Sequence, residues 1–308
     1  MTNWIGPYPS SRIQRIEITR RINVDFFLKR DDELGWAGSK TRKYLTLVPF
    51  LSRFDVAVVV GSFYSANVPA LSAALLQAGV EPVAFLRGTG PWVGNALLTR
   101  LFLPLERIYC VPKSENLIER AFEYAEKRRE EGKRVFVVPE GAKTPASIAG
   151  AASLALDLPD CRFLFLESGS GTTAASVILA LKYLRSTIKT FVALMAGSPA
   201  EFSRTLAEFH VHFVNRLGEA FDLPLEGDDY VTLVSPTKFG RVADDDLKRS
   251  IYWSRRAGII ADPVYTAKFL DMTSAAIETY RLHGQVTAVL SGASGTLFGY
   301  AERLSAFC

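Results

Sequence analysis

Lys40 lies in the stretch LGWAGSKTRKYL (34–45), just after a Gly-Ser step and two residues before Arg42. The hydrophobic pattern predicts a helix over 41–52, which places Lys40 at its start. The positive end of the helix dipole disfavours a cation there. A lysine that must lose its proton to act as a nucleophile gains from such a place, because a hostile local charge and desolvation both favour the neutral amine. The same residues would also serve as the solvated first turn of a surface helix, so the lysine needs corroboration elsewhere in the chain.

A second chemical signal lies downstream in RFLFLESGSGTTAASVILALKYL (162–184), which reads as strand, small-residue turn and helix. The turn Ser168, Gly169, Ser170, Gly171, Thr172 and Thr173 offers converging backbone N–H groups, hydroxyls and two glycines for close approach. A helix start behind it supplies the dipole that a phosphate dianion requires. No Gly-Lys-Ser/Thr is present, which excludes a P-loop ATPase. Gly169-x-Gly171-x-x-Ala174 fits a loose dinucleotide fingerprint. The next strand, however, runs out in LMAGSPAE with no carboxylate at its tip to hold a ribose. A dinucleotide-dependent oxidoreductase therefore stands as a competing reading. A reactive lysine upstream and a phosphate loop downstream together suggest pyridoxal 5'-phosphate (PLP).

These groups need a scaffold, and the rest of the sequence describes one. Short apolar runs predict strands over 24–30, 55–61, 81–87, 107–111, 134–139, 162–167, 189–196 and 285–291. Helical patterns intervene over 65–79, 93–103, 115–130, 146–156, 172–185, 243–257 and 264–282. Strands without polar alternation, separated by helices, imply parallel sheets covered on both faces. The expected class is α/β. One sheet rarely takes so many strands, so two lobes are expected. Their bounds, a small inner lobe over 54–149 and a large cofactor-binding one from 1–53 plus 150–308, rest more on the family resemblance given below than on any shift in composition.

Bulk properties narrow the function. The chain has 308 residues, 48% hydrophobic and 22% charged, as expected of a globular enzyme with a substantial core. A net charge of +4 with dispersed basic clusters gives no nucleic-acid footprint. Cys110, Cys161 and Cys308 show no CxxC spacing and no even count. A disulfide framework or zinc site is not expected, and a reducing cytoplasm fits. The opening MTNWIGPYPSSR lacks a charged region followed by an apolar run, so no secretory signal is expected. No uncharged apolar stretch reaches the roughly 20 residues of a membrane helix. His210 and His212 alternate in FHVHF, read as a strand; without a nearby acid or thiol they predict no metal site. His283 is expected to cap a helix C-terminus before Gly284.

Five segments in order carry a family resemblance over roughly residues 28–300. KRDD followed by AGSKTRKYLTLVPFL resembles the lysine segment of the family that contains 1-aminocyclopropane-1-carboxylate (ACC) deaminase and D-cysteine desulfhydrase. VVVGSFYSANVPALSAAL, VPEGAKTPASIAGAASLAL, ESGSGTTAA and GIIADPVYTAKFLDMTSAAI resemble its later segments. The resemblance implies a two-domain fold similar to tryptophan synthase β (fold-type II), with PLP as cofactor and a mostly parallel sheet in each domain. Lys40 matches the Schiff-base lysine and Lys43 the second lysine of that motif. Ser65 matches the catalytic serine, Asn67 lies near the usual asparagine, and Tyr265 matches an active-site tyrosine. Ser168–Thr173 match the cofactor-phosphate loop. A homodimer is the usual assembly of such proteins, and a small amino acid the usual substrate.

Departures from the pattern bear on the substrate. Gly38-Ser39 precedes the lysine where Gly-Asn is usual, and Ser65-Ala66-Asn67 replaces Ser-Asn. Phe239, in KFG, stands where the family carries a second tyrosine, and would line the substrate site with Ser65, Ala66 and Asn67. Thr266 follows Tyr265, as in D-cysteine desulfhydrases, where ACC deaminases carry a glutamate near the pyridine nitrogen. Near the end, SGASGTLFGY lacks the usual histidine. Thr266, Ser291 and Ser294 are the candidates for the pyridine-nitrogen partner. A neutral hydroxyl there would leave the nitrogen unprotonated and suit a β-elimination. The implied activity is that of a D-cysteine desulfhydrase before that of an ACC deaminase. A PLP-binding protein with little turnover, suggested by Phe239, is a further alternative.

Overall fold

The computed structural model describes residues 6–19, 23–218, 220–292 and 294–308. Strands β1 (Ile13–Arg15) and β2 (Val24–Lys29) precede helix α1 (Lys40–Leu51). A strand-helix alternation follows through β3 (Val56–Ser62), α2 (Asn67–Gln77), β4 (Glu81–Arg87), α3 (Asn95–Phe102), β5 (Ile108–Val111), α4 (Leu117–Glu130) and β6 (Val135–Val138). Helix α5 (Pro145–Ala152) leads into β7 (Phe163–Ser168), α6 (Thr172–Tyr183), β8 (Lys189–Leu194), α7 (Pro199–Leu217) and β9 (Tyr230–Val234). The chain closes with α8 (Asp244–Ala257), α9 (Thr266–Thr279), β10 (Gly284–Val289), a 3-10 turn (Ser294–Tyr300) and α10 (Ala301–Ser305).

The strands form two sheets, and the class is α/β with parallel sheets flanked by helices. One sheet runs β5-β4-β3-β6, parallel throughout; the other runs β1-β2-β10-β7-β8-β9, parallel except for β1. Burial on both faces explains the unbroken apolar runs. Val56, Val58 and Val60 of β3 pack towards α4, while Ala57 and Val59 pack towards α1 and α2. In β7, Leu164 and Leu166 face α5, α6 and α7, while Phe165 faces α9 and the end of α8. Ligands in such sheets bind beyond the carboxyl ends of the strands, and the chemical residues converge there.

Packing bridges the two lobes. Tyr44, Leu47 and Leu51 of α1 join the core of the smaller sheet, whereas Ile148 and Ala149 of α5 join that of the larger. A division at 54 and 149 is our proposal for the two lobes; α5 runs through the second bound, and α1, which ends before the first, packs on the smaller sheet.

Two expectations are corrected. The FHVHF run is not a strand but lies within α7, so His210 and His212 do not share a face. The wider spacing Phe202, Leu206, Phe209, Phe213 is helical and buries one stripe. Ser198 accepts the Glu201 N–H in a capping box and Pro199 opens the helix, signals that the local alternation masked. His210 Nε2 lies 2.8 Å from the Phe221 carbonyl. Helix α9, in turn, stops at Thr279, and the chain leaves through Arg281 at positive φ, so His283 does not cap it.

A buried ionic cluster fixes the start of α1. Arg42 reaches Asp31 through Nε (2.6 Å) and Nη2 (2.8 Å), and Asp157 through Nη2 (2.6 Å). Lys29 Nζ lies 2.7 Å from Asp157, and the Ser11 hydroxyl donates to Asp31 at 2.7 Å. Bidentate geometry with every oxygen occupied is what allows such a cluster to be buried.

Candidate active site

The helix start that carries Lys40 is pressed against the loop after β10. Gly38 has φ +59°, and a Cβ there would fall 2.1 Å from the Ser291 carbonyl oxygen, so only glycine fits. The Ser39 N–H donates to that same oxygen at 2.8 Å. Lys40 follows, half-buried, with its ammonium desolvated. Burial lowers its pKa, and the buried carboxyls of Glu167 and Asp262 pull it partly back. Lys43, one turn on, donates to the Gly141 carbonyl at 3.0 Å. Burial, then the charge of Lys40, brings it down to about 7. Among the described residues, neither lysine lies within ion-pair distance of a carboxylate.

The serine loop follows β3. Gly61 has no room for a Cβ, which would meet Ser65 Cβ at 3.0 Å, so the loop folds back directly onto the strand end. The Ser65 hydroxyl accepts the Asn67 N–H at 3.2 Å, and Ala66 takes the N-cap position of α2. Asn67 is buried. Its Oδ1 accepts from the Tyr44 hydroxyl at 3.1 Å, while its Nδ2 has no partner.

Ser168–Thr173 form the turn between β7 and α6, with Gly171 left-handed (φ +81°) at the N-cap. Thr172 donates to the Gly141 carbonyl at 3.4 Å and lies 3.1 Å from the Ser170 hydroxyl. Thr173 stands in the first turn of the helix. Gly141 (φ +69°) lets the loops touch, for a Cβ there would fall 2.1 Å from Ser170 Oγ. Lys43 and the Ser168–Thr173 turn thus meet at one carbonyl, although 98 residues separate Lys43 from it. A cavity of about 330 Å³ opens against Ser168–Gly171. The Ser168 hydroxyl is buried without a partner.

Tyr265 opens α9 with its hydroxyl over Gly169; a Cβ there would lie 3.4 Å from the oxygen. Burial, reinforced by Asp262 and Glu167, raises its pKa and keeps it a proton donor. Phe239 is exposed and packs edge-on against Tyr265, ring centroids 5.6 Å apart. Lys268 ties that loop to α9 through Thr237 Oγ1 (2.9 Å) and the Arg241 carbonyl (2.7 Å).

Of the three candidates for the ring nitrogen, Thr266 gives its hydroxyl hydrogen to Asp262 at 3.0 Å. Ser291 donates to Glu167. The Ser294 side chain lies outside the described residues.

Sequence reasoning missed two acids. Asp262 accepts from the N–H groups of Val264, Tyr265 and Thr266 and so fixes the start of α9. Its Asp-Pro before a helix was the available signal. Glu167 accepts from the Ser291 N–H at 3.1 Å, and burial raises its pKa to about 7. A charge ending the apolar strand FLFLE was the sign.

These residues fit PLP. Burial lowers the pKa of both lysines, the glycine-lined loop faces a helix dipole, and the buried polar atoms without partners include Asn67 Nδ2, Ser168 Oγ and Glu167 Oε2. Such orphans persist where a ligand satisfies them. Fold and site together define the class of fold-type II PLP enzymes. A family profile described as pyridoxal-phosphate dependent enzyme matches residues 1–294, and the chain belongs to that family, with PLP as cofactor. The dinucleotide reading of Gly169-x-Gly171 falls with it.

The chain is 27% identical to a Pyrococcus horikoshii protein provisionally named 1-aminocyclopropane-1-carboxylate deaminase, over 93% of this chain and 90% of that one. It is 24% identical to a D-cysteine desulfhydrase of Klebsiella pneumoniae, over 97% and 95%. A crystal structure of an ACC deaminase homologue superposes with a TM-score of 0.84 at 22% identity, covering 100% of this chain and 98% of that one.

Proposed function

We propose that the protein is a PLP-dependent lyase acting on a small amino acid, with D-cysteine the first substrate to test. With D-cysteine and water, the products would be pyruvate, ammonia and sulfide. One observation carries this over ring opening of ACC: the position facing Tyr265 is Phe239, whose ring has no hydroxyl. A single acid, Tyr265, suffices to protonate a departing thiolate.

When bound, PLP supplies an aldehyde for an amine and a ring that delocalises a Cα carbanion. Lys40 would hold it covalently, Lys43 and Ser168–Thr173 its phosphate, and Asn67 Nδ2 its phenolic oxygen. With its amine free, Lys40 would be desolvated and neutral, a base for the Cα proton. Ser65 and the backbone N–H groups opening α2 hold the substrate carboxylate, with Ala66 and Phe239 lining the approach. Tyr265, kept protonated, gives its proton to the leaving sulfur.

No described helix is long and apolar enough to cross a membrane. The free cysteines Cys110, Cys161 and Cys308 suit a reducing cytoplasm, and a homodimer is the expected assembly.

The test is the visible spectrum of purified holoprotein during addition of D-cysteine, with keto acid assayed in the same cuvette. A band that shifts as pyruvate accumulates supports the reading. Keto acid from ACC but not from D-cysteine would favour ring opening. A shift with no product from any of a panel of small amino acids would favour the cofactor-binding protein with little turnover.

A further inference from the structure

Glu167 has no part in the chemistry above, yet it is built into the site. It ends β7, directly before the phosphate loop. Its Oε1 accepts both the backbone N–H and the hydroxyl of Ser291, while its Oε2 is buried without a donor.

The charged and titratable groups around it come from three directions. Lys40 faces it from α1, with Lys43 beyond; Asp262 and Tyr265 face it from the start of α9. Ser291 faces it from the end of β10. Asp262 is already satisfied by three backbone N–H groups and the Thr266 hydroxyl. Glu167 has Ser291 alone.

Lys40 is the nearest source of positive charge, and its free ammonium is lost when its amine is spent on the cofactor's aldehyde. Tyr265, though it faces Glu167, gives no hydrogen bond to the open oxygen, and of the bound cofactor's own groups one can donate to it. The phosphate and the phenolic oxygen of PLP are acceptors or already matched, and the ring nitrogen carries the donor when protonated. Thr266, the competing partner, has its hydrogen engaged by Asp262.

We infer that Glu167, with Ser291 locked against it, is the partner of the cofactor's ring nitrogen and keeps that nitrogen protonated. This rests on the PLP reading and reverses the expectation that a neutral hydroxyl would leave the nitrogen unprotonated. Glu167 is a positioning group for the ring; its consequence is a deeper electron sink at Cα.

The test is nitrogen NMR of holoenzyme reconstituted with PLP labelled with 15N in the ring, near neutral pH. The wild-type signal is expected in the protonated range, and the isosteric Glu167→Gln variant should move it to the range of an unprotonated pyridine. Ser291→Ala, which leaves the carboxylate in place, should keep it protonated. An unprotonated nitrogen in the wild type overturns the inference even if no variant folds. So does a Glu167→Gln signal identical to wild type. In both cases bound PLP would survive as a finding. Failure of the wild type to bind labelled PLP would overturn the cofactor reading as well.

Discussion

Lys40 and Arg42 stand two residues apart in the first turn of α1, and the fold treats their charges oppositely. Arg42 is fully buried, with Asp31 held bidentate and Asp157 beside it. Burial works against its charge, but those carboxylates outweigh it and raise its pKa. Lys40 meets the same desolvation with Glu167 and Asp262 only at a distance, and its pKa falls. Burial alone does not decide what a cation becomes; direct pairing does. One turn of helix thus carries a structural charge beside one that the protein makes easy to lose.

The largest effect expected is on turnover. Lys40→Ala should abolish the cofactor's visible band and reduce keto-acid formation on the order of 10⁴-fold or more. The melting temperature of the cofactor-free protein should not fall, since an unpaired desolvated charge is removed. A drop as deep as that of an Arg42 variant would break the comparison.

Arg42→Leu comes next. It strands Asp31 inside the protein and should cost about 3–5 kcal/mol in urea unfolding. Adding Asp31→Leu should recover much of that loss, because no uncompensated charge remains. Equal losses in the single and double variants would show that the side chain matters for its packing instead.

Within the candidate site, an acid and a lysine predict opposite pH behaviour in the cofactor-free protein. Glu167 titrates at about 7 when folded, above the ordinary 4.5, so unfolding releases its proton and stability falls as pH rises between those values. Lys43 titrates at about 7 when folded, below the ordinary 10.5, so stability rises as pH climbs between them. Glu167→Gln should remove the first slope and Lys43→Met the second, read as differences in urea midpoint against pH.

Asp157 belongs to the other regime. Burial opposes its ionisation, yet bonds from Lys29, Ser10 and Arg42 outweigh it and hold its pKa below the ordinary value. Its contribution is present above that ordinary value and is lost as pH falls through the folded one. Asp157→Asn should therefore cost stability at neutral pH and little in strong acid.

The smallest effect is expected at an exposed pair. Arg134 lies 2.7 Å from Asp55, and hydrogen bonds from it lower Asp55 to about 2, but both side chains face solvent. Arg134→Ala should shift the urea midpoint hardly at all, because solvent screens the pair. A loss comparable to Arg42→Leu would show that geometry outweighs exposure.

The alternation of apolar runs and helical stripes is legible in the sequence because strands buried on both faces and amphipathic helices leave composition marks. The structure accordingly shows β2 to β8 and β10, with α1 to α6, α8 and α9, near the expected places, whereas α7 was missed. That helix was hidden because five residues, FHVHF, alternate with period two inside a nineteen-residue helical stripe. The Ser168–Thr173 turn stands out for a different reason: two glycines and hydroxyl residues between a strand and a helix leave backbone N–H groups free to meet an anion.

By itself the sequence determined the α/β class and the PLP-dependent family, and it singled out Lys40 and the Ser168–Thr173 turn as candidates, since each depends on residue types close together in the chain. Only the tertiary structure decided which acids count. Glu167 and Asp262 carry the same letters as solvated surface acids. They become site residues because folding brings Ser291, 124 residues from Glu167, to bond to it, and because desolvation raises the cost of their charge. Proximity and dielectric are properties of the packed molecule, not of the chain.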